Sequence, residues 1–247
     1  MNLEAPSAQI PALARVKTKI FADGADAAAM VALRSSPMIA GFTTNPTLMH
    51  KSGVRDYASF AREVLRAIPD LPISFEVIAD DETEMERQAH AIASWGENVY
   101  VKIPVTETNR SSTSALVHRL SHAGVKVNVT AILTLEQVRA TVAALAGGAP
   151  SNVSIFAGRI ADTGRDPMPV VRAAVAMAAA EPQIELIWAS PRELLNLFHA
   201  DACGAHIITM TNDLLAKLRL VGRDLADYSL DTVKMFFNDA RAAQLEL

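Results

Sequence analysis

The feature that most constrains this chain is a regular alternation of short apolar runs with helix-like stretches. The runs read TKIFAD (18–23), IAGFTT (39–44), ISFEVI (73–78), NVYVKI (98–103), VKVNVT (125–130), NVSIFAG (152–158), IELIWAS (184–190) and AHIITM (205–210). Amphipathic, alanine-rich segments follow at 57–68, 82–95, 112–123, 135–146, 168–180, 191–202 and 212–220. Strand alternating with helix predicts a parallel sheet. About eight such units in 247 residues is the arithmetic of one (β/α)8 barrel. A doubly wound open sheet competes with it, but no glycine-rich phosphate fingerprint follows the first strand, where FADGAD is the only candidate. The expected organisation is an extension over 1–17, then the barrel with a C-terminal helix over 18–247. That helix is read in Ser229 to Leu247, where Val233, Phe236, Phe237 and Ala240 have helical spacing and Asp231 is the expected N-cap. It is expected to cover the barrel or to dock on a neighbouring subunit.

Side chains alternate along a strand, so parity assigns the inner and outer faces. In VKVNVT, Val125, Val127 and Val129 face the helices while Lys126, Asn128 and Thr130 face the lumen. The same rule turns Asn152, Ser154 and Phe156 inward, and likewise Ser74 with Glu76, and Phe21 with Asp23. In VYVKIPVT (99–106) it places Tyr100 and Lys102 together on one face, with Val99, Val101 and Ile103 on the other. Inward polar groups thus gather near the C-terminal ends of several strands, the mouth at which barrels of this kind hold their active sites.

A lysine inside an otherwise apolar strand suggests a desolvated amine, and a neutral amine attacks a carbonyl to form a Schiff base. If the barrel closes, Asp23, Asn45, Glu76, Lys102, Thr130 and Ser154 converge, and each has a task in such chemistry. Lys102 is the nucleophile. Glu76, through a water, and Asp23 are the carboxylates available for proton transfer, with Asp23 taking the substrate hydroxyl proton during carbon–carbon cleavage. Asn45 holds a substrate hydroxyl, and Thr130 with Ser154 orients the water or the donor's hydroxymethyl end. Plainer readings stand beside these. Lys102 could be a strand-end lysine that snorkels to water, Asp23 and Asn45 ordinary turn residues before Gly24 and Pro46, and Thr130 an inert strand threonine. Glu76, between Phe75 and Val77, is costly to bury without a partner and so resists a plain reading.

Arginines form a second feature. Arg159 follows the sixth run, Arg192 the seventh beside Ser190, and both are read as phosphate ligands, while Arg165 is read as a surface charge. A helix opening at Pro191–Arg192 would add backbone N–H donors. The net charge of −4 gives no footprint for nucleic acid or an anionic membrane. Met1 to Lys17 has neither the basic start nor the long apolar run of a signal peptide or anchor. One cysteine, Cys203, fits a reducing compartment, so the cytoplasm is expected. His118 and His122 share a helix face but lack the glutamate of a metalloprotease pattern, and no metal site is expected.

In order along the chain stand FADGAD, GFTTNPTLM (41–49), SFEV (74–77), VYVKIPVT, NVTAI (128–132), SIFAGRIADTG (154–164) and ASPRE (189–193). Together they resemble the transaldolases, in the small-subunit branch that also holds the fructose-6-phosphate aldolases. The resemblance runs from about Lys19 to Leu220. It implies a barrel with a class I mechanism that needs no metal or organic cofactor, acts on sugar phosphates and works as a homo-oligomer. Residue by residue, it makes Lys102 the Schiff-base lysine, Asp23 the carboxylate for the hydroxyl proton, and Glu76 an acid/base acting through a water also held by Thr130. It puts Thr43 and Asn45 in the substrate pocket, Ser154 and Phe156 beside the donor, and Arg159, Ser190 and Arg192 on the phosphate.

Two positions divide the branch. The aldolases resemble a pattern with glutamine where this chain has Glu76 and tyrosine where it has Phe156. A phenyl ring cannot donate a proton to help water release the bound three-carbon unit, which favours transfer of dihydroxyacetone to a second aldose phosphate. Pro191 departs from the phenylalanine of many relatives. Three expectations therefore enter the structure: a transaldolase, an aldolase that uses free dihydroxyacetone, or a non-catalytic phosphate-binding barrel.

Overall fold

The computed structural model describes residues 12–245. Eight parallel strands close into one barrel in sequence order, β1 pairing with β8. They are β1 (Lys19–Asp23), β2 (Ile39–Thr43), β3 (Ile73–Glu76), β4 (Val99–Pro104), β5 (Val127–Ile132), β6 (Ser151–Ile155), β7 (Ile184–Trp188) and β8 (Ile207–Thr211). Each lies on one of the eight apolar runs. The helices are α1 (Ala27–Arg34), α2 (Pro46–Lys51), α3 (Tyr57–Ala67), α4 (Glu82–Ala93), α5 (Ser114–His122), α6 (Leu135–Leu145), α7 (Ala157–Ala161), α8 (Met168–Ala178), α9 (Leu195–Ala202), α10 (Asn212–Leu215) and α11 (Leu225–Ala242).

Most of the expected extension lies outside the described residues; Leu13–Arg15 within it form a 3-10 turn. The chain divides into two compact units: the barrel, Lys17–Leu215, and a second unit to which the described residues before Lys17 and from Ala216 onward belong.

The strands face two ways, as their alternation requires. Val101, Ile103, Val127 and Val153 are fully enclosed, as are Leu116 and Leu120 of α5. Each such side chain contributes roughly 1.5–3 kcal/mol relative to exposure. Inside the barrel, Phe21, Ile187, Ala189 and Ile207 form a core plug, with Ala40 and Phe156 packed on it. A Cβ at Gly41 would lie 2.6 Å from the Phe21 ring, so the inward ring of β1 needs glycine on the neighbouring strand.

Helix starts are fixed by short polar caps: Asp26 for α1, Asn45 for α2, Asp56 for α3, Asp81 for α4 and a Thr134–Gln137 capping box for α6. Two expected starts are corrected. The seventh crossover helix begins at Leu195 rather than Pro191, because the Asn196 Oδ1 accepts the amides of Arg192 (2.8 Å) and Glu193 (3.2 Å) and holds that stretch in a loop. The terminal helix begins at Leu225, capped by Asp224 through the amides of Ala226 and Asp227. Asp231 lies inside that helix, paired with Arg223.

Candidate active site

Three polar residues on adjacent strands define the heart of the barrel mouth. Glu76 ends β3, Lys102 is its register partner on β4, and Asn128 is next on β5. Parallel pairing puts these side chains on the same inner face. Lys102 is buried, with only 6% of its surface exposed, which disposes of the snorkelling reading. Its Nζ donates to the Thr44 carbonyl at 2.9 Å and lies 3.4 Å from Glu76 Oε2. Glu76 is held from behind by Tyr57, whose hydroxyl donates to the Glu76 carbonyl at 2.8 Å. Tyr57 is itself wedged edge-on against Trp95 and tilted against Phe75. Burial pushes the Tyr57 phenol upward, so it remains a donor to that carbonyl.

Asp23 ends β1, across the lumen from the lysine. Asp26 takes the capping of α1 through the Ala29 amide, so the turn that follows β1 does not consume Asp23. The Asp23 carboxylate accepts instead from the Thr43 hydroxyl at 2.7 Å, and Thr43 in turn contacts the Thr209 hydroxyl. Burial raises the Asp23 carboxyl above the ordinary carboxylate range; the Lys102 charge and the Thr43 hydrogen bond pull the other way without offsetting it. Asp23 still touches the cavity, so it is enclosed by protein on one side and accessible to a ligand on the other.

Thr130 is 2% exposed, and its Oγ1 has no partner among the described residues. It sits where β5 bulges: the register with β6 slips between Val129 and Ile132, and Ala131 takes a left-handed φ of 63°. Such a bulge re-aims a side chain at a strand end. Ser154 donates to Asn128 Oδ1 at 2.7 Å, and Asn128 donates to Ser74 Oγ at 3.0 Å. Asn45 is partly committed, since its Oδ1 caps α2 by accepting from the Leu48 amide at 2.9 Å. Its amide nitrogen remains as a donor.

Arg159 and Arg192 stand on the loops after β6 and β7. Both are exposed at the rim. A Cβ at Gly158 would fall 1.6 Å from the Ser190 carbonyl oxygen, so only glycine lets α7 lie against the loop after β7. Ser190 itself has a φ of 59°. Arg192 donates to Asp162 Oδ1 from Nε at 2.9 Å, to Asp162 Oδ2 from Nη2 at 2.5 Å, and to Ser190 Oγ from Nη1 at 3.0 Å. Because the next helix starts late, the expected backbone donors at Pro191–Arg192 are not free; Asn196 holds them.

One cavity of about 500 Å³ gathers all eleven residues singled out from the sequence: Asp23, Thr43, Asn45, Glu76, Lys102, Thr130, Ser154, Phe156, Arg159, Ser190 and Arg192. Tyr100 shares the inward face of Lys102 but opens into a separate cleft, with Lys19, Lys126 and Glu185 at the N-terminal ends of the strands. Sequence reasoning missed Thr209, which parity applied to β8 would have found opposite Ile208. It also missed Asn128 as the support of Ser154, Lys51 at the rim, and Asp162. The bulge at Ala131 carries no local signal. Among the described residues no group of three or more histidine, cysteine, aspartate or glutamate side chains is placed to hold a metal ion. No helix among them is long and apolar enough to cross a membrane.

Comparison with known proteins identifies a family. The family model "Transaldolase/Fructose-6-phosphate aldolase" matches residues 20–247. A protein named "Probable transaldolase" from Thermoanaerobacter sp. is 34% identical over 230 residues, covering 93% of this chain and 100% of that protein. Another of the same name, from Dehalococcoides mccartyi, is 36% identical over 182 residues, covering 73% of this chain and 81% of that one. Among solved structures, a HpcH/Hpal aldolase/citrate lyase family protein from Burkholderia cenocepacia superposes with a TM-score of 0.55 at 16% identity, covering 91% of this chain and 99% of that one, a likeness of fold alone.

Proposed function

The chain belongs to the transaldolase/fructose-6-phosphate aldolase family, and on that premise we propose that it is a class I transaldolase, moving a dihydroxyacetone unit from a ketose phosphate to an aldose phosphate. The observation that carries the reading is the buried Lys102 amine, 3.4 Å from Glu76, in one cavity with Asp23 and two rim arginines. An enclosed amine that opens on the cavity, with a carboxylate in reach to relay protons, is placed to attack a ketone.

In the proposed sequence Glu76 takes one proton from Lys102, Nζ bonds to the ketose carbonyl carbon, and a second Nζ proton passes through water to the carbonyl oxygen. The resulting carbinolamine loses its hydroxyl as water, the proton coming from Glu76 through a water that the unpartnered Thr130 hydroxyl also holds. Asp23 then takes the proton of the hydroxyl on C4. The C3–C4 bond breaks, an aldose leaves, and its electron pair stays on the lysine adduct as an enamine. An elevated carboxyl pKa suits this step, because a base works best near the operating pH. The enamine adds to the carbonyl of an incoming aldose phosphate, Asp23 returns its proton, and hydrolysis frees Lys102. Arg159, Arg192 and Ser190 hold the phosphate end.

Transfer is favoured over simple cleavage by Phe156, which packs on the lumen plug and has no proton to give. The assay that separates the two follows fructose 6-phosphate with and without erythrose 4-phosphate. Turnover that requires acceptor supports transfer, and Phe156→Tyr should then raise acceptor-independent cleavage. Acceptor-free turnover in the wild type would assign the chain to the aldolases. Self-association belongs to the same proposal: α11 contains no buried residue and exposes Tyr228, Val233, Phe236 and Phe237, an apolar stripe of the kind that mates with a second copy.

A further inference from the structure

Asp162 is an acidic group paired with an arginine of the cationic rim, and nothing in the proposed chemistry uses it. Its place follows from Gly158. The absent side chain at 158 lets the first turn of α7 sit on the Ser190 carbonyl. Asp162 lies one turn later, its amide donating to the Gly158 carbonyl at 2.9 Å, so it rises on the same face of the helix and meets Arg192. The carboxylate receives Nε and Nη2 in a two-pronged contact, while Ser190 receives Nη1. An arginine has five N–H donors. Three are spent here, leaving one on each terminal nitrogen. The Ser190 hydroxyl proton is also free, since its oxygen is the acceptor in this contact. Arg159 makes no ion pair among the described residues.

We infer that Asp162 is a positioning residue of the anion subsite: it clamps the Arg192 guanidinium against Ser190, so that the remaining donors of Arg192 and Ser190 are fixed, together with Arg159, around one phosphate group. The inference rests on the proposed phosphate assignment of Arg159, Ser190 and Arg192. A long exposed arginine otherwise loses its rotamer freedom on binding, and prior fixation removes that cost. The Arg192 contact also holds the Asp162 carboxyl below the ordinary carboxylate range, so the clamp stays ionised through the neutral pH region. The competing idea, that Asp162 occupies Arg192 in place of a phosphate, makes the opposite prediction.

The test titrates inorganic phosphate into the full chain by calorimetry, in wild type, Asp162→Ala, Asp162→Asn, Arg159→Ala and Arg192→Ala, with melting curves on each. It then compares KM and kcat in the transfer assay, at one fixed concentration of erythrose 4-phosphate, for fructose 6-phosphate and for unphosphorylated fructose. The clamp predicts that Asp162→Ala weakens phosphate binding by roughly tenfold, the worth of one charge-assisted hydrogen bond, and raises the ratio of the two KM values similarly. Asp162→Asn, with one acceptor oxygen in place of two, falls between and guards against misfolding of the alanine variant. Unchanged or tighter phosphate binding in Asp162→Ala overturns the clamp. An equal loss of kcat/KM for both sugars makes Asp162 a merely structural residue and overturns it too. A wild type indifferent to phosphate, or arginine variants that bind as well as wild type, refutes the subsite assignment itself.

Discussion

Replacing Asp23 by asparagine should make this protein more stable and nearly inactive. The substitution keeps the shape and an oxygen able to accept the Thr43 hydroxyl, now 2.7 Å from Asp23 Oδ1, and removes the charge. Two favourable contacts of the ionised form are weakened: that hydrogen bond, worth about 1.5–3 kcal/mol when its acceptor is charged, and the attraction of Lys102. Against them stands the desolvation of the carboxylate, which is the larger effect, since the carboxyl is raised rather than lowered. Neutralisation returns the difference as folded-state stability. In a chain of this length each kcal/mol so returned raises the melting temperature by about 2–4 °C. A group whose folded pKa is raised contributes stability that is fully present below its unfolded value and lost as pH rises through the folded one. The melting-temperature gap between Asp23→Asn and wild type should therefore be open at neutral pH, narrow as the pH falls, and close below about 4, where the carboxyl is largely protonated in both states. Turnover should fall by roughly 10²–10⁴-fold through loss of the base. Scanning calorimetry across pH, paired with the transfer assay, reads both effects. A variant less stable than wild type at neutral pH, or a gap that ignores pH, would refute the reasoning that burial dominates at Asp23.

Further outcomes follow from the same geometry. Thr130→Val should leave stability unchanged or raise it by up to about 1 kcal/mol, because the buried hydroxyl has no protein partner, while turnover falls at least about tenfold; unfolding titrations and steady-state rates check the two separately. Gly158→Ala should destabilise the barrel by about 1–3 kcal/mol and raise KM for the sugar phosphate, since its Cβ would fall 1.6 Å from the Ser190 oxygen. An alanine variant with wild-type KM would show that the two rim loops adjust independently.

The strands were legible because each barrel strand must turn one face to the helices and one to the lumen. Val101 and Val127 declare the outer face, and Lys102 and Asn128 the inner. From that parity alone the strand-end members of the site could be placed, Glu76 beside Lys102 above all. What the sequence hid depends on contacts distant in the chain or on backbone geometry. Asn196 captures the amides at 192 and 193 and delays α9, a choice that propensity around Pro191 does not reveal. Asp224 and Asp231 are equally good caps in isolation, and the pairing of Asp231 with Arg223 leaves the cap to Asp224. Tyr100 was placed on the correct face, but parity does not say which end of the lumen a residue serves, and it opens at the far end from Lys102. The bulge at Ala131 and the clamp at Asp162 arise from register and packing, which no local pattern encodes.

The central claim is that the Lys102 amine carries the substrate, and trapping the adduct tests it most directly. The protein is incubated with fructose 6-phosphate, reduced with borohydride and mapped by peptide mass spectrometry, alongside Lys102→Ala. The account predicts a reduced three-carbon adduct on Lys102, absent from the variant, which keeps its fold but has no turnover. A protein that turns over ketose phosphate with no adduct on Lys102, or a Lys102→Ala variant that remains active, would contradict it.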